Sequence, residues 1–300
     1  MEPQQKIDFY QTRDLGDKIN VTFQFLRQNF GPLFKCLLYI AGPISLITGI
    51  AAGIYQATLL STTMGASTDP FDFTTIISQG GVTSLLSLLA TSVVITVVYE
   101  YLVLYMQANT LTTPTVSEVW ERTKQDVLKV LLGVIVVSIL VSIGFVFLIV
   151  PGFILLAALS FIFIIMIKER LSFGDAFSRC FSLVSGHYLS TLGLILVVVI
   201  LQSIISLILV FPFTLVTGAG IFFSGSEDIM AQQSSGFYQI LFIIGQVLSS
   251  FISQLLYAIL LVAIAFQYAN LVEKKESTGL MESVNTMGER RIADDEDERY

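Results

Sequence analysis

The residue whose type and setting could do chemistry is Glu100. It stands in Val97-Val98-Tyr99-Glu100-Tyr101-Leu102-Val103, near the inner end of a long apolar run. An ionisable group inside a membrane span is costly and is a functional candidate by default. Glu100 would serve a site for a proton, a cation or a headgroup. The alternative is a structural carboxylate toward the inner interface, bonded to Tyr or Gln of neighbouring helices or reaching water. Gln202, Gln246, Gln254 and Gln267 lie in later apolar runs. With the many Ser and Thr around them they would line a polar cavity, or else hydrogen-bond between helices. His187 is the only histidine and has no partner at ligand spacing, which argues against a metal site. The sequence has no Walker loop, GxSxG, HExxH or dinucleotide fingerprint, and no paired nucleophile and base. The expectation is therefore a non-enzymatic protein with no cofactor. A net charge of −7 without a basic domain disfavours nucleic acid as a partner.

The elements that must position these residues are set by composition. Apolar residues make up 54% of the chain and charged residues 13%, with a mean hydropathy of +0.78. A soluble domain carries roughly 25% charged residues, so this chain cannot cover its surface with polar groups and lipid must be its solvent. No charge occurs between Lys35 and Asp69, between Lys129 and Lys168, or over Tyr188–Ser226 and Ile229–Val272. A crossing needs about 20 apolar residues. The runs predict an all-α polytopic bundle with about six spans: Leu33–Leu60, Val82–Ala108, Val127–Val150, Gly152–Ile167, Leu189–Val216 and Tyr238–Leu271. Val150-Pro151-Gly152 is expected to be the turn between the third and fourth. Val130–Ile167 would give about 57 Å of helix, close to two crossings, with a re-entrant hairpin as the rival. Gly42-Pro43, Gly144 and Pro212 would break their helices or kink them for packing.

Basic residues favour the cytoplasmic side. All 16 Lys and Arg fall before or at the start of span one, around the junction of spans two and three, between spans four and five, or after span six. Both termini are thereby expected in the cytoplasm. The N-terminus carries no compact apolar signal, and Cys36 and Cys180 would be reduced structural thiols. Three stretches on this side have apolar residues at helical spacing: Ile19 to Phe30, Val116 to Val127 and Phe173 to Val184. They would lie on the membrane surface or pack as connectors. Gly16-Asp17 stands thirteen residues before Asn29-Phe30, as Gly174-Asp175 does before His187-Tyr188. The layout suggests three units, each a surface helix followed by a transmembrane hairpin. Residues 1–32 would form a cytoplasmic segment, 33–271 the membrane domain, and 272–300 a disordered acidic tail around Asp294–Glu298.

Pro151-Gly152, then Lys168-Glu169-Arg170-Leu171-Ser172-Phe173-Gly174-Asp175-Ala176-Phe177, then Leu183-Val184-Ser185-Gly186-His187-Tyr188, form a recognisable order. Over about residues 127–216 the chain resembles a bacterial multipass superfamily that includes the membrane domain fused to some glycerophosphoryl diester phosphodiesterases. The resemblance implies a six-helix domain of the bacterial inner membrane with surface helices at its cytoplasmic face. In the fused relatives catalysis belongs to a separate soluble domain, so no catalytic residue carries over. The reading that follows is a scaffold, or a lipid-interacting partner of a membrane complex, with membrane lipids and other membrane proteins as partners. A small transporter or channel component using Glu100 and the polar residues of the last two spans is the alternative.

Overall fold

The computed structural model describes residues 6–64, 74, 76–108, 113–147, 149–223 and 236–277. It is all-α, with no strand among these residues. The helices are α1 Leu15–Cys36, α2 Gly42–Met64, α3 Gly81–Gln107, α4 Val116–Phe147, α5 Ile149–Leu159, α6 Ile162–Lys168, α7 Phe173–Val184, α8 Tyr188–Phe223 and α9 Gly236–Glu276. Six stretches are long and apolar enough to cross a membrane: Leu15–Leu59, Ile77–Gln107, Val116–Phe147, Ile149–Lys168, Tyr188–Phe213 and Ile240–Glu276. Asp69 and Asp72, between spans one and two, Glu227 and Asp228, between spans five and six, and the acidic tail lie outside the described residues.

The central element is α3. From Val94 to Val103 every residue is buried, because α2, α4, α6 and α9 surround it. Leu128, Leu132 and Ile139 on α4, and Leu196, Ile204 and Leu207 on α8, instead turn large apolar side chains outward. That pattern suits a bundle whose surroundings are hydrocarbon.

Two amphipathic stretches differ from the expected separate surface helices. α1 runs through a π-helical segment, Leu37–Ala41, into α2, and Val116–Val127 is the first part of α4. Pro43 explains the π segment. Its ring excludes the carbonyl four residues back, and the Gly42 N–H instead reaches Leu37 O, five residues back. Only α7 stands alone. Even so, the three stretches open alike. Asp17 N–H donates to Asp14 Oδ1 (2.8 Å), Thr115 and Glu118 cap each other, and Asp175 N–H donates to Ser172 Oγ (3.4 Å). Each start is a capping residue with an acid three positions later, the signature of a helix N-terminus.

The third and fourth spans form an antiparallel hairpin, but its turn lies earlier than expected. Val150, Pro151 and Gly152 are already in the first turn of α5, which begins at Ile149 after α4 ends at Phe147. Proline is tolerated there because a first-turn N–H has no intrahelical partner. Glycines allow the tight approach: a Cβ on Gly144 would lie 3.1 Å from Gly152 Cα, and one on Gly152 would lie 2.6 Å from Phe145 Cδ1. Pro212 lies inside an unbroken α8.

Helices α2 and α9 pack through a close glycine contact. A Cβ at Gly49 would sit 2.7 Å from Val247 Cα, and one at Gly53 would sit 3.1 Å from Ile243 Cα. The spacing Gly49-x-x-x-Gly53 is the small-residue pattern by which membrane helices approach backbone to backbone.

Candidate functional site

Glu100 ends up beneath a cluster of basic residues, at the end of the bundle where α3 finishes and α4 begins. Its side chain has 0% exposure; Oε1 lies 3.4 Å from Arg170 Nη2 and Oε2 lies 3.7 Å from Arg122 Nη1. Arg170 also pairs with Asp126, which is 7% exposed and holds Lys129 Nζ at 3.1 Å. Arg122 is 31% exposed and Arg170 50%. The two carboxylates are thus covered by three cations that themselves reach water. Arg170 takes a left-handed backbone, φ +55°. For a residue other than glycine that costs about 1–3 kcal/mol and persists where surrounding contacts hold it. Here the contacts are its two ion pairs.

A second polar knot joins the ends of α6, α7 and α9. Arg179 contacts Glu276 at 2.5 Å and Glu169 at 3.3 Å, while Tyr268 donates to Glu169 Oε1 at 2.7 Å. Burial lowers the Arg179 pKa, but the two carboxylates outweigh it and raise the value above that of free arginine. Beside Arg179, burial pushes the Cys180 thiol up to about 12.

The N-terminal segment fills the same end of the bundle. Phe9 is buried and stacks on Phe266 at 4.4 Å, with Phe25 edge-on at 5.8 Å. Ile7 N–H donates to Tyr105 Oη (3.2 Å), Lys168 Nζ lies 4.1 Å from the centre of the Tyr10 ring, and Asn270 donates to Arg13 O (2.9 Å).

The glutamines divide. Gln202, Gln246 and Gln254 line one cavity of about 520 Å³ between α2, α3, α8 and α9, together with Thr91, Tyr257 and several serines. Gln267 is elsewhere and donates to Thr191 Oγ1 (3.1 Å), an inter-helical bond. Glu100 does not line this cavity. Thr91, at its edge, is about 14 Å from Glu100 along α3, and the fully packed Val94–Tyr99 stretch lies between.

A third feature is apolar. Phe23, Leu26, Phe30 and Phe34 of α1, Leu209 of α8 and Leu256 of α9 line a groove of about 300 Å³. Arg27 is exposed and follows Phe23 by one helical turn, so it stands on the groove's side of α1.

The sequence marks Glu100 and the four glutamines as unusual and leaves open whether the glutamines line a cavity or bond between helices, but it does not show the carboxylate's partners. By sequence Arg122 and Asp126 fall in the amphipathic stretch before span three and Arg170 between spans four and five, and only the folded path brings them to α3. The Gly49–Gly53 pair was readable from its spacing. The inserted Ile7–Tyr10 segment gave no signal, because apolar residues interleaved with Lys6 and Asp8 look like any polar terminus. No family model, curated protein or solved structure matches the chain.

Proposed function

We propose that the chain is a non-enzymatic multipass protein of the bacterial inner membrane that acts as a lipid-binding scaffold for a membrane complex. Both termini face the cytoplasm in this reading, as the charge asymmetry favours. It would belong beside the membrane domain of the glycerophosphoryl diester phosphodiesterases, and the order of residues 151–188 supports that placement. The observation that carries the role is the apolar groove along α1 with exposed Arg27 on its side. An acyl chain suits a slot walled by Phe and Leu, and a guanidinium suits the phosphate of an anionic headgroup. The paired Glu100 adds to this reading. Held by Arg122 and Arg170 away from the polar cavity, it serves as a clamp between α3, α4 and the α6–α7 connection.

The test is lipid mass spectrometry on protein purified in mild detergent. Leu209→Trp, at an exposed groove position, and Arg27→Glu should each lower the co-purifying anionic phospholipid severalfold. Unchanged lipid in both variants would overturn the groove assignment. The second reading, a small transporter or channel component, is favoured by the polar cavity. Glu100→Gln together with Gln202→Leu separates the two: ion-coupled transport through either group would be abolished, whereas a scaffold would keep its bound lipid and partners.

A further inference from the structure

The cavity between α2, α3, α8 and α9 has chemistry of its own. None of its lining residues is charged, and all but Ala52 carry an amide or a hydroxyl. Which of these groups can donate narrows the ligand. Thr48 uses its hydroxyl proton on Ile44 O (2.8 Å) and Ser87 on Thr83 O (2.9 Å), the usual back-bond of a helical hydroxyl. Each leaves oxygen lone pairs to face a ligand. Gln246 gives a proton to Gln56 Oε1 (2.8 Å). Gln202 Oε1 and Gln254 Oε1 are shielded and accept no hydrogen bond among the described residues. Such oxygens inside a membrane bundle are costly unless something donates to them. The Gln202 and Gln254 amides and the Thr91, Ser253 and Tyr257 hydroxyls also carry N–H and O–H groups, so the wall offers both donors and acceptors but no counter-charge.

An anion would find no cation here, and a bare cation would leave water with no carboxylate to meet it. A neutral group carrying several O–H donors fits both limits. The cavity is also closed toward the basic end, because α3 is packed from Val94 onward and α9 from Leu261 to Val272. Access is then from the opposite side of the membrane or from the lipid beside α8, where Ser203 is exposed.

We propose that this cavity binds an uncharged, hydroxyl-rich group such as a sugar, presented on a neutral glycolipid or free in solution. This goes beyond the scaffold reading and does not rest on it. The groove along α1 shares no residue with the cavity, so either assignment can fail alone.

The experiment uses the full-length protein in phosphatidylcholine nanodiscs and native mass spectrometry. Three probes are compared: monoglucosyl diacylglycerol, the same lipid with its sugar hydroxyls methylated, and free glucose as competitor. The glucosyl lipid should be retained about tenfold more than its methylated form, the cost of losing one or two hydrogen bonds. Gln202→Leu with Gln254→Leu should erase that preference. Should this pair fail to fold, Ser253→Val, at an exposed position of the wall, should reduce it. Displacement by free glucose would assign the sugar itself as ligand, and retention against it would assign the lipid-borne form. Equal retention of the glucosyl lipid and its methylated form, or a preference that survives in a folded variant, would overturn the proposal.

Discussion

Removing Arg170 should destabilise the fold more than neutralising Glu100, although both break the same ion pair. Arg170→Ala leaves Glu100, whose side chain is wholly buried, with only Arg122 at 3.7 Å. Stranding one partner of a fully buried pair costs about 3–5 kcal/mol. Arg170 is half exposed and its contacts are partly screened, which reduces the expected cost to about 2 kcal/mol. Glu100→Gln removes the buried charge instead. Arg122 and Arg170 then turn to the water they already reach, so the loss should be about 1 kcal/mol. The double variant no longer contains a stranded carboxylate. Its loss should be about 1.5 kcal/mol rather than the sum of the two, a coupling near 1.5 kcal/mol. The assay is unfolding in mixed micelles, followed by the fluorescence of Trp120, the chain's single tryptophan, which lies two residues from Arg122. Additive losses, or a greater loss for Glu100→Gln than for Arg170→Ala, would refute the clamp.

Other perturbations test other parts of the structure. Gly49→Leu should separate α2 from α9 and cost about 1–3 kcal/mol or more from overpacking, read as a lower midpoint in the same titration. Gly81→Leu, where a Cβ meets nothing within 4 Å, is the matched control and should change little. Phe9→Ala should cost about 3–4 kcal/mol, since the ring is buried against Phe25 and Phe266; a loss near zero would mean that the N-terminal segment is not packed. Cys180 is buried and its thiol pKa is raised to about 12. A maleimide at pH 7 should therefore leave it unlabelled until the protein is denatured, as mass spectrometry would register. A reporter placed at Ser226 should be extracytoplasmic, and a cytoplasmic signal there would reverse the topology.

Much of the architecture was legible because lipid demands long uncharged helices, and charge-free runs such as 130–167 and 229–272 can be read directly. Helix ends were less legible. Val150-Pro151-Gly152 looks like a turn by composition, yet proline is tolerated in a first helical turn, and these residues belong to α5, where Gly152 approaches Gly144 and Phe145. At the candidate sites the sequence identified which polar residues were unusual but not how they group. Gln202 and Gln254 are far apart in the chain and meet only because α8 packs along α9. Glu100 and Arg170 meet only because the α6–α7 connection returns over the end of α3.

The all-apolar tip of the α4–α5 hairpin, where Val146, Phe147, Ile149 and Val150 are exposed, has a consequence for the lipid around it. From Lys129 to Phe147 the helix rises about 27 Å, slightly less than a hydrocarbon core about 30 Å thick. The apolar part of α9, Ile240 to Val272, would rise about 48 Å if straight. One protein thus presents a short hydrophobic length on one flank and a long one on another. The bilayer must thin beside the hairpin, while α9 tilts or the bilayer thickens around it. A protein with two such hydrophobic lengths should partition toward membrane regions where thickness already changes.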